Sequence, residues 1–395
     1  MFVYLDNSST TKPYREAAER MMIFLQEDFG NPSSLHRLGL TAEKAVKAAR
    51  KSLGDAMGAR EEEIIFTSGG TEADNTALIG AAAARQRRGR KVITTAVEHP
   101  AVLEAVERLA HTGFTVERIG VDQKGLVDMD ALAAALSEDT ILISVMGVNN
   151  EVGTIQPIQE IGSLRQVYNE KHGTDILFHT DAVQAFGKLP VLARDADLIS
   201  LSGHKIHGPK GIGALYIRKG LSIEPYLLGG GQERHLRSGT ENVPAIAGFG
   251  QAVQQMSSRM EERMKAVSAA RARLLGGIQA EIPEVRLNSP ETDSLGWDGG
   301  LCCPSVLNVS FLGTRGEVLL HSLEQADIYV STGSACSSNK KGQSHVLRAM
   351  GLKDKEIEGA IRFSFSEFNT MEEIDYVVEQ LKQAVGRFRK LGSFR

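Results

Sequence analysis

Cysteine is scarce, with three in 395 residues. That excludes a disulfide-stapled scaffold and predicts a reducing, cytoplasmic setting. Cys302, Cys303 and Cys336 lack the paired spacing of a zinc site, so no metal is expected. Excess positive charge is also missing: a net charge of -4 excludes a general electrostatic grip on nucleic acid. No apolar run approaches the ~20 residues of a membrane span. Residues 1–6 offer no basic stretch ahead of an apolar one, so no signal peptide is expected. Internal repeats and long low-complexity tracts are absent, as are the dinucleotide fingerprint and the Walker loop. The basic cluster at 85–91 reads as the complement of a helix dipole at its C-terminal end.

What is present is an ordinary globular composition, 42% hydrophobic and 24% charged, on a chain long enough for two domains. Strand-like runs at 64–66, 91–95, 140–145, 176–178 and 198–201 alternate with helical patterns at 71–88, 101–111 and 158–172. This alternation predicts an α/β fold with a mainly parallel sheet between helices, and ligands at the carboxyl ends of its strands. From 245 to 280 the pattern reads as one long helix linking two domains, with Met256, Met260, Met264 and Val267 as core residues on one face. Beyond Pro283, strands at 306–311 and 328–331 and helices at 317–325 and 371–390 predict a smaller α+β domain. Residues 331–343 are small and polar, and read as a flexible loop.

Chemistry enters at the strand ends. The run 176–178 leads into His179-Thr180-Asp181-Ala182-Val183-Gln184, and the run 198–201 into Ser202-Gly203-His204-Lys205. An Asp and a Lys are thereby delivered to one end of a sheet. A Lys that forms a Schiff base and an Asp that pairs with a pyridinium nitrogen are what a pyridoxal 5'-phosphate (PLP) enzyme needs. Each alone has a plainer reading: Asp181 as a helix cap, Lys205 as a surface lysine in a glycine-rich turn. Gly203, Gly208, Gly211 and Gly213 leave room for a planar ring, and Gln184 can donate to its 3-oxygen. The stretch 67–73 follows a strand and opens a helix; its glycines and helix N-terminus suit a phosphate. His99, after another strand, can stack on the ring and shuttle protons. Asn150 can bond a phenolic oxygen or a substrate carboxylate. Arg362 offers a two-pronged grip on a carboxylate, or else a salt bridge between domains. Cys336 lies in the polar loop near Lys340 and Lys341, whose charge favours the thiolate. A reactive thiol on such a loop suits collecting sulfur in one place and delivering it in another. Cys302 and Cys303 read as structural.

The motifs Tyr4-Leu5-Asp6-Asn7-Ser8-Ser9-Thr10-Thr11, Thr67-Ser68-Gly69-Gly70-Thr71-Glu72, Glu98-His99, Val148-Asn149-Asn150-Glu151, Arg237-Ser238-Gly239-Thr240, Gly333-Ser334-Ala335-Cys336 and Ile361-Arg362-Phe363-Ser364 fall in register with these. Over nearly its whole length the chain closely resembles the NifS/IscS-type cysteine desulfurases, PLP enzymes of fold type I with the class V aminotransferase fold. The resemblance implies a large PLP-binding domain over 15–260, and a small domain of 1–14 with 261–395 that carries the cysteine loop. It implies that L-cysteine displaces Lys205 from PLP, that Cys336 attacks the substrate sulfur and keeps it as a persulfide, and that L-alanine leaves. Lys205 would anchor PLP, His99 stack on it, and Asp181 and Gln184 bind the ring. Gly70, Thr71, Ser202 and His204 would hold the phosphate, with Thr240 supplied by the second subunit of a homodimer. Asn150 and Arg362 would position the substrate, and Asn150 also borders the cofactor. The sulfur acceptor would be an iron–sulfur scaffold or a tRNA sulfurtransferase. The basic loop at 336–341, the stretch Ser364-Phe365-Ser366-Glu367-Phe368 and an end at Arg395 depart from the housekeeping iron–sulfur type. Loop and tail look closer to Gram-positive members that feed a tRNA-thiolating sulfurtransferase. The rival readings are a selenocysteine lyase, a class V aminotransferase, or a non-enzymatic sulfur-relay subunit. Cys336 argues against a transaminase, and the full set of Lys205, Asp181, His99 and Cys336 argues against a silent subunit.

Overall fold

The computed structural model describes residues 1–291, 300–332 and 343–392. After β1 (Val3–Tyr4), seven strands form one sheet: β2 (Ile64–Thr67), β3 (Lys91–Thr95), β4 (Thr115–Ile119), β5 (Thr140–Ser144), β6 (Leu177–Asp181), β7 (Leu198–Ser202) and β8 (Gly213–Ile217). Their order is β2-β8-β7-β6-β5-β3-β4. All run the same way except β8, which is antiparallel to both neighbours. Strands β5 to β8 are buried throughout. A strand covered on both faces reads as a continuous apolar run, which is why β5, β6 and β7 were legible. Edge strand β4 is not: it exposes Thr115 and Arg118. Strand β8 opens on Gly213, where a Cβ would sit 2.6 Å from backbone atoms of Gly69 and Leu201. That glycine serves close strand packing, not clearance for a ring.

Helices α1 (Arg15–Gln26), α2 (Arg37–Met57), α3 (Gly70–Arg85), α4 (Pro100–His111), α5 (Met129–Ala135), α6 (Ile158–His172) and α7 (Val243–Ser258) cover the sheet. Alternate strand residues point to opposite faces. Ile64, Phe66, Ile143, Phe178 and Ile199 pack with α1, α2, α5, α6 and α7. Ile65, Val92, Leu142, Leu177 and Leu198 pack with α3 and α4.

A separate core gathers α8 (Met260–Glu281), β9 (Val285–Leu287), β10 (Val306–Phe311), α9 (Gly316–Glu324) and β11 (Ile328–Tyr329). Two short helices follow, α10 (His345–Ala349) and α11 (Asp354–Glu358), then β12 (Ala360–Ser364) and α12 (Met371–Gly392). Strands β12, β10 and β9 form an antiparallel sheet. Strand β1 pairs in parallel with β11, so Val3 and Leu5 join this second core. No helix among the described residues is long and apolar enough to cross a membrane.

The long helix expected over 245–280 is two helices. It breaks at Arg259 (φ −140°, ψ 29°). Met256 belongs to the large core, whereas Met264 and Val267 belong to the second. Periodicity carries on across the break, and no Gly or Pro marks it, so the pattern alone cannot show it. Arg263 donates from Nη1 to the Met256 carbonyl (3.2 Å), satisfying the end of α7. The same guanidinium forks onto Glu367 at 2.8 and 3.1 Å, and Tyr14 donates to that carboxylate at 2.6 Å. Burial pushes Glu367 up, but hydrogen bonds from His207 and Arg263 win and hold it well below the usual carboxylate range. The unusual stretch after β12 thus ties α1 and α8 together.

Candidate active site

The site grows from the carboxyl ends of β3, β6 and β7. Asp181 ends β6 and is 4% exposed; its Oδ1 accepts the Val183 amide at 2.9 Å. His99 caps α4, and its Nδ1 accepts the Ala101 amide at 3.1 Å. A neutral ring with Nδ1 as acceptor carries its proton on Nε2. Burial lowers the His99 pKa, the Asp181 charge opposes, and Lys205 and His345 lower it further. Burial raises Asp181, with His99, the Val183 amide and Lys205 opposing. Asp74, from α3, comes to the same place: one donor atom each of Asp74, His99 and Asp181 lie within 4.8 Å of one another. Burial, then the Asp181 charge, lifts Asp74 well above its ordinary range. A buried carboxyl in this state takes up negative charge when a cation is brought against it.

Lys205 ends a short 3₁₀ turn, Gly203–Lys205, directly after β7. Its Nζ donates to the carbonyls of Ser8 (2.5 Å) and Ser9 (2.8 Å). Gln184 Nε2 donates to the same Ser8 carbonyl at 2.9 Å. Beside the turn, Ser202 Oγ is buried and has no hydrogen-bond partner. Gly70 opens α3 next to it; a Cβ there would sit 2.7 Å from Val183 Cγ2 and 3.6 Å from Ser202 Cβ. An orphaned hydroxyl, a helix N-terminus and a position with no room for a side chain fit a phosphate. His204 lies near, with Nδ1 3.2 Å from Thr10 Oγ1; burial pulls it down to about 4, and Lys205, Lys210 and Lys188 add to this. Thr71 is exposed in the first turn of α3. With Asp181 for the ring nitrogen and Lys205 for the aldehyde, these residues fit PLP.

Thr240 is not gathered into this cup. It is exposed, and with Thr67, Ser68, Gly211 and Arg237 it lines a neighbouring cavity of about 260 Å³. The loop carrying it passes through three consecutive non-glycine residues with positive φ: Glu233 (42°), Arg234 (57°) and His235 (64°). Each costs ~1–2 kcal/mol. A buried anchor offsets that cost: Arg50 grips Glu233 at 2.8 and 2.9 Å, and the Phe66 amide donates to it at 3.0 Å.

The opposite wall is β12 and the N-terminal segment. Arg362, 4% exposed, donates from Nη1 to the Asn150 carbonyl (3.0 Å), and from Nη2 to Asp6 Oδ1 (2.8 Å) and Ser9 Oγ (2.7 Å). Its Nε is buried with no hydrogen-bond partner. It therefore bridges the two cores and still keeps an N–H for a ligand. Asn149 shapes the turn beside it, accepting the amides of Glu151 (2.9 Å) and Val152 (3.0 Å). Cys336, Lys340 and Lys341 lie outside the described residues. The flanks of that segment are anchored separately, one at this wall and one at the turn after β5. Ser331 exchanges backbone hydrogen bonds with Arg362 at 3.1 and 2.7 Å, and the Ser344 hydroxyl donates to the buried Glu151 carboxylate. Cys302 and Cys303 are buried free thiols, and burial pushes Cys302 up to about 11.

Three buried groups escaped the sequence reading. His179 sits between Ser144 Oγ (2.8 Å) and Ser200 Oγ (2.9 Å), and burial takes it down to about 3. It is neutral, so its 3.5 Å approach to Asp74 is not an ion pair. Glu98 is fully buried; its Oε1 accepts from Thr95 Oγ1 (2.6 Å) and the Met146 amide (3.0 Å), while Oε2 has no partner. Burial pushes it up to about 8. The available signal was a charge on an apolar face: Asp74 follows Ala73 on the helix side packed against the sheet.

The chain matches the family described as Aminotransferase class-V over residues 3–377. It is 45% identical to the cysteine desulfurase IscS of Methanosarcina thermophila over 391 residues, 98% of this chain and 93% of that one. To the cysteine desulfurase IscS of Clostridium botulinum it is 44% identical, over 98% of this chain and 96% of the other. Among solved structures, a NifS-like protein superposes with a TM-score of 0.89 at 38% identity, covering 98% of this chain and all of that one. SspA in complex with cysteine gives 0.79 at 33%, covering 93% and 100%. The chain belongs to the class-V aminotransferase family and, within it, to the NifS/IscS-type cysteine desulfurases.

Proposed function

We propose that this cysteine desulfurase uses PLP to convert L-cysteine to L-alanine and captures the sulfur on Cys336. One observation carries the reading. Lys205, Asp181 and His99 meet at the strand ends, and the segment holding Cys336 is flanked by Ser331, paired with Arg362 on β12, and by Ser344, bonded to Glu151 in the turn after β5.

PLP supplies the electron sink for negative charge developing on the substrate carbon. The chain's residues do the rest. Lys205 would hold the cofactor through Nζ and would take the substrate's α proton. Asp181 would hold the ring nitrogen protonated, and His99 would cover the ring and carries a mobile proton on Nε2. Gly70, Thr71, Ser202 and His204 would take the phosphate. Arg362 turns Nε to the substrate carboxylate, and Asn150 lies beside it. The Cys336 thiolate attacks the substrate sulfur. That forms the S–S bond of a persulfide and breaks the carbon–sulfur bond, whose electrons remain with the substrate until a proton arrives.

The two hydrophobic cores support a division into 15–260 and 1–14 with 261–395. A homodimer completing the phosphate site with Thr240 is supported by the exposure of Met22, Leu25, Phe29, Leu35 and Leu40, an apolar stretch in need of cover. The buried free thiols suit a cytoplasmic setting. The acceptor we infer is a protein, an iron–sulfur scaffold or a tRNA sulfurtransferase. Giving the purified holoenzyme L-cysteine and, separately, L-selenocysteine tests the assignment. Alanine from L-cysteine with sulfur retained on the protein is expected. Turnover of selenocysteine alone would overturn the assignment in favour of a selenocysteine lyase.

A further inference from the structure

Beyond Asp181 the chain coils with helix-like hydrogen bonds, Phe186 N to Ala182 O (2.8 Å) and Leu189 N to Ala185 O (2.9 Å). Side chains four apart on such a coil share a side, so Gln184 and Lys188 meet: Lys188 Nζ donates to Gln184 Oε1 at 2.6 Å. Gln184 is 4% exposed. Burial pulls Lys188 down to about 8, the charge of Cys303 opposes, and Arg362 and Arg263 add to the fall. On its other side Gln184 Nε2 reaches the Ser8 carbonyl, which also accepts from Lys205. These partners fix the amide's orientation. An ammonium only donates and a carbonyl only accepts, so Oε1 must face Lys188 and Nε2 must face the Ser8 carbonyl.

We propose that Lys188 is a positioning residue that locks the Gln184 amide, so that an N–H and not a carbonyl oxygen would be offered to the phenolic oxygen of PLP. The proposal rests on the reading of Gln184 as a ligand to the ring. The two ends of an amide are nearly the same shape, so packing alone cannot choose between them. A half-buried cation on one side chooses, because turning the amide over would set N–H against N–H around the buried Gln184 amide. The choice has a chemical consequence. An N–H donated to the phenolate stabilises its negative form and lowers the proton affinity of the imine next to it; an oxygen there would raise that affinity.

The test is a visible-absorption titration of the holoenzyme, which reads the imine proton and needs no turnover. Gln184→Ala should raise the pKa of the bound chromophore by roughly half a unit or more. Lys188→Met should raise it in the same direction, Lys188→Gln less, and Lys188→Arg should titrate like the wild type. In the Gln184→Ala background, Lys188→Met should add nothing. An unmoved titration in both Lys188→Met and Lys188→Gln, with Gln184→Ala shifted, would overturn the positioning role. So would equal Lys188→Met shifts in both backgrounds, since the effect would not pass through Gln184. If Gln184→Ala itself leaves the titration unmoved, the reading of Gln184 as a ring ligand fails and takes the proposal with it.

Discussion

The carboxyl edge of the large sheet and the wall formed by β12 and residues 6–10 handle charge in different ways. At the edge, burial dominates. Asp74, Glu98 and Asp181 are lifted above their usual range, while His99 and His179 are pushed below theirs. This edge prefers neutral groups until a cation arrives, which suits a pyridinium ring. At the wall, Arg362 pairs with Asp6 and leaves one buried N–H without a partner. That suits a carboxylate that comes and goes. The difference teaches that ring chemistry and substrate handling would sit on separate scaffolds, with the segment bearing Cys336 tied to β12 at one flank and to the turn after β5 at the other. The two should therefore fail separately.

The largest separation is expected from Lys205→Ala. It should abolish turnover and leave nothing for borohydride to trap, while persulfide placed chemically on Cys336 still forms. Wild-type alanine production by this variant would remove the lysine from the mechanism. Arg362→Ala should cut kcat/KM by about 30- to 1000-fold, the equivalent of ~2–4 kcal/mol, with PLP affinity held. A loss of cofactor without a loss of substrate binding would show that the residue is only a bridge between the cores.

The buried edge can be tested without substrate. Glu98 has a raised pKa, so the stability it contributes is fully present below its unfolded value and fades as pH rises towards about 8. Relative to Glu98→Gln, wild-type apoprotein should lose stability between about pH 4.5 and 8, at no more than ~1.4 kcal/mol per pH unit. Urea unfolding across that range measures it, and parallel curves for the two proteins would contradict the burial argument. The smallest effect is expected at Lys340 and Lys341. Replacing both with Gln should raise the Cys336 thiol pKa modestly and slow its alkylation near neutral pH, with salt blunting the difference. Superimposable alkylation curves would assign the lysines elsewhere.

Much of the site was legible because chemistry stands at strand ends. Asp181, Lys205 and His99 follow buried apolar runs, and a parallel sheet aligns those ends. Gly70 and Ser202 were legible for the same reason. What stayed hidden depends on contacts far apart in sequence. Arg50 and Glu233 are 183 residues apart, and neither neighbourhood announces the pair. The Ser8 carbonyl that receives both Lys205 and Gln184 carries no side-chain signal at all. The break at Arg259 is tied by Arg263 to Glu367, which lies far outside the helical pattern. Strand β8 was masked because glycine weakens a strand signal even where close packing demands it.

The division between cofactor edge and thiol segment is tested most directly by Cys336→Ser holoenzyme mixed with stoichiometric L-cysteine. Absorption spectra and intact-protein mass should be followed together, against wild type. The account predicts that the variant binds PLP and changes its spectrum with L-cysteine as the wild type does. Only the wild type should then gain the mass of one sulfur atom and release alanine. A variant that gains the sulfur, or one that no longer responds spectrally to L-cysteine, would contradict the separation.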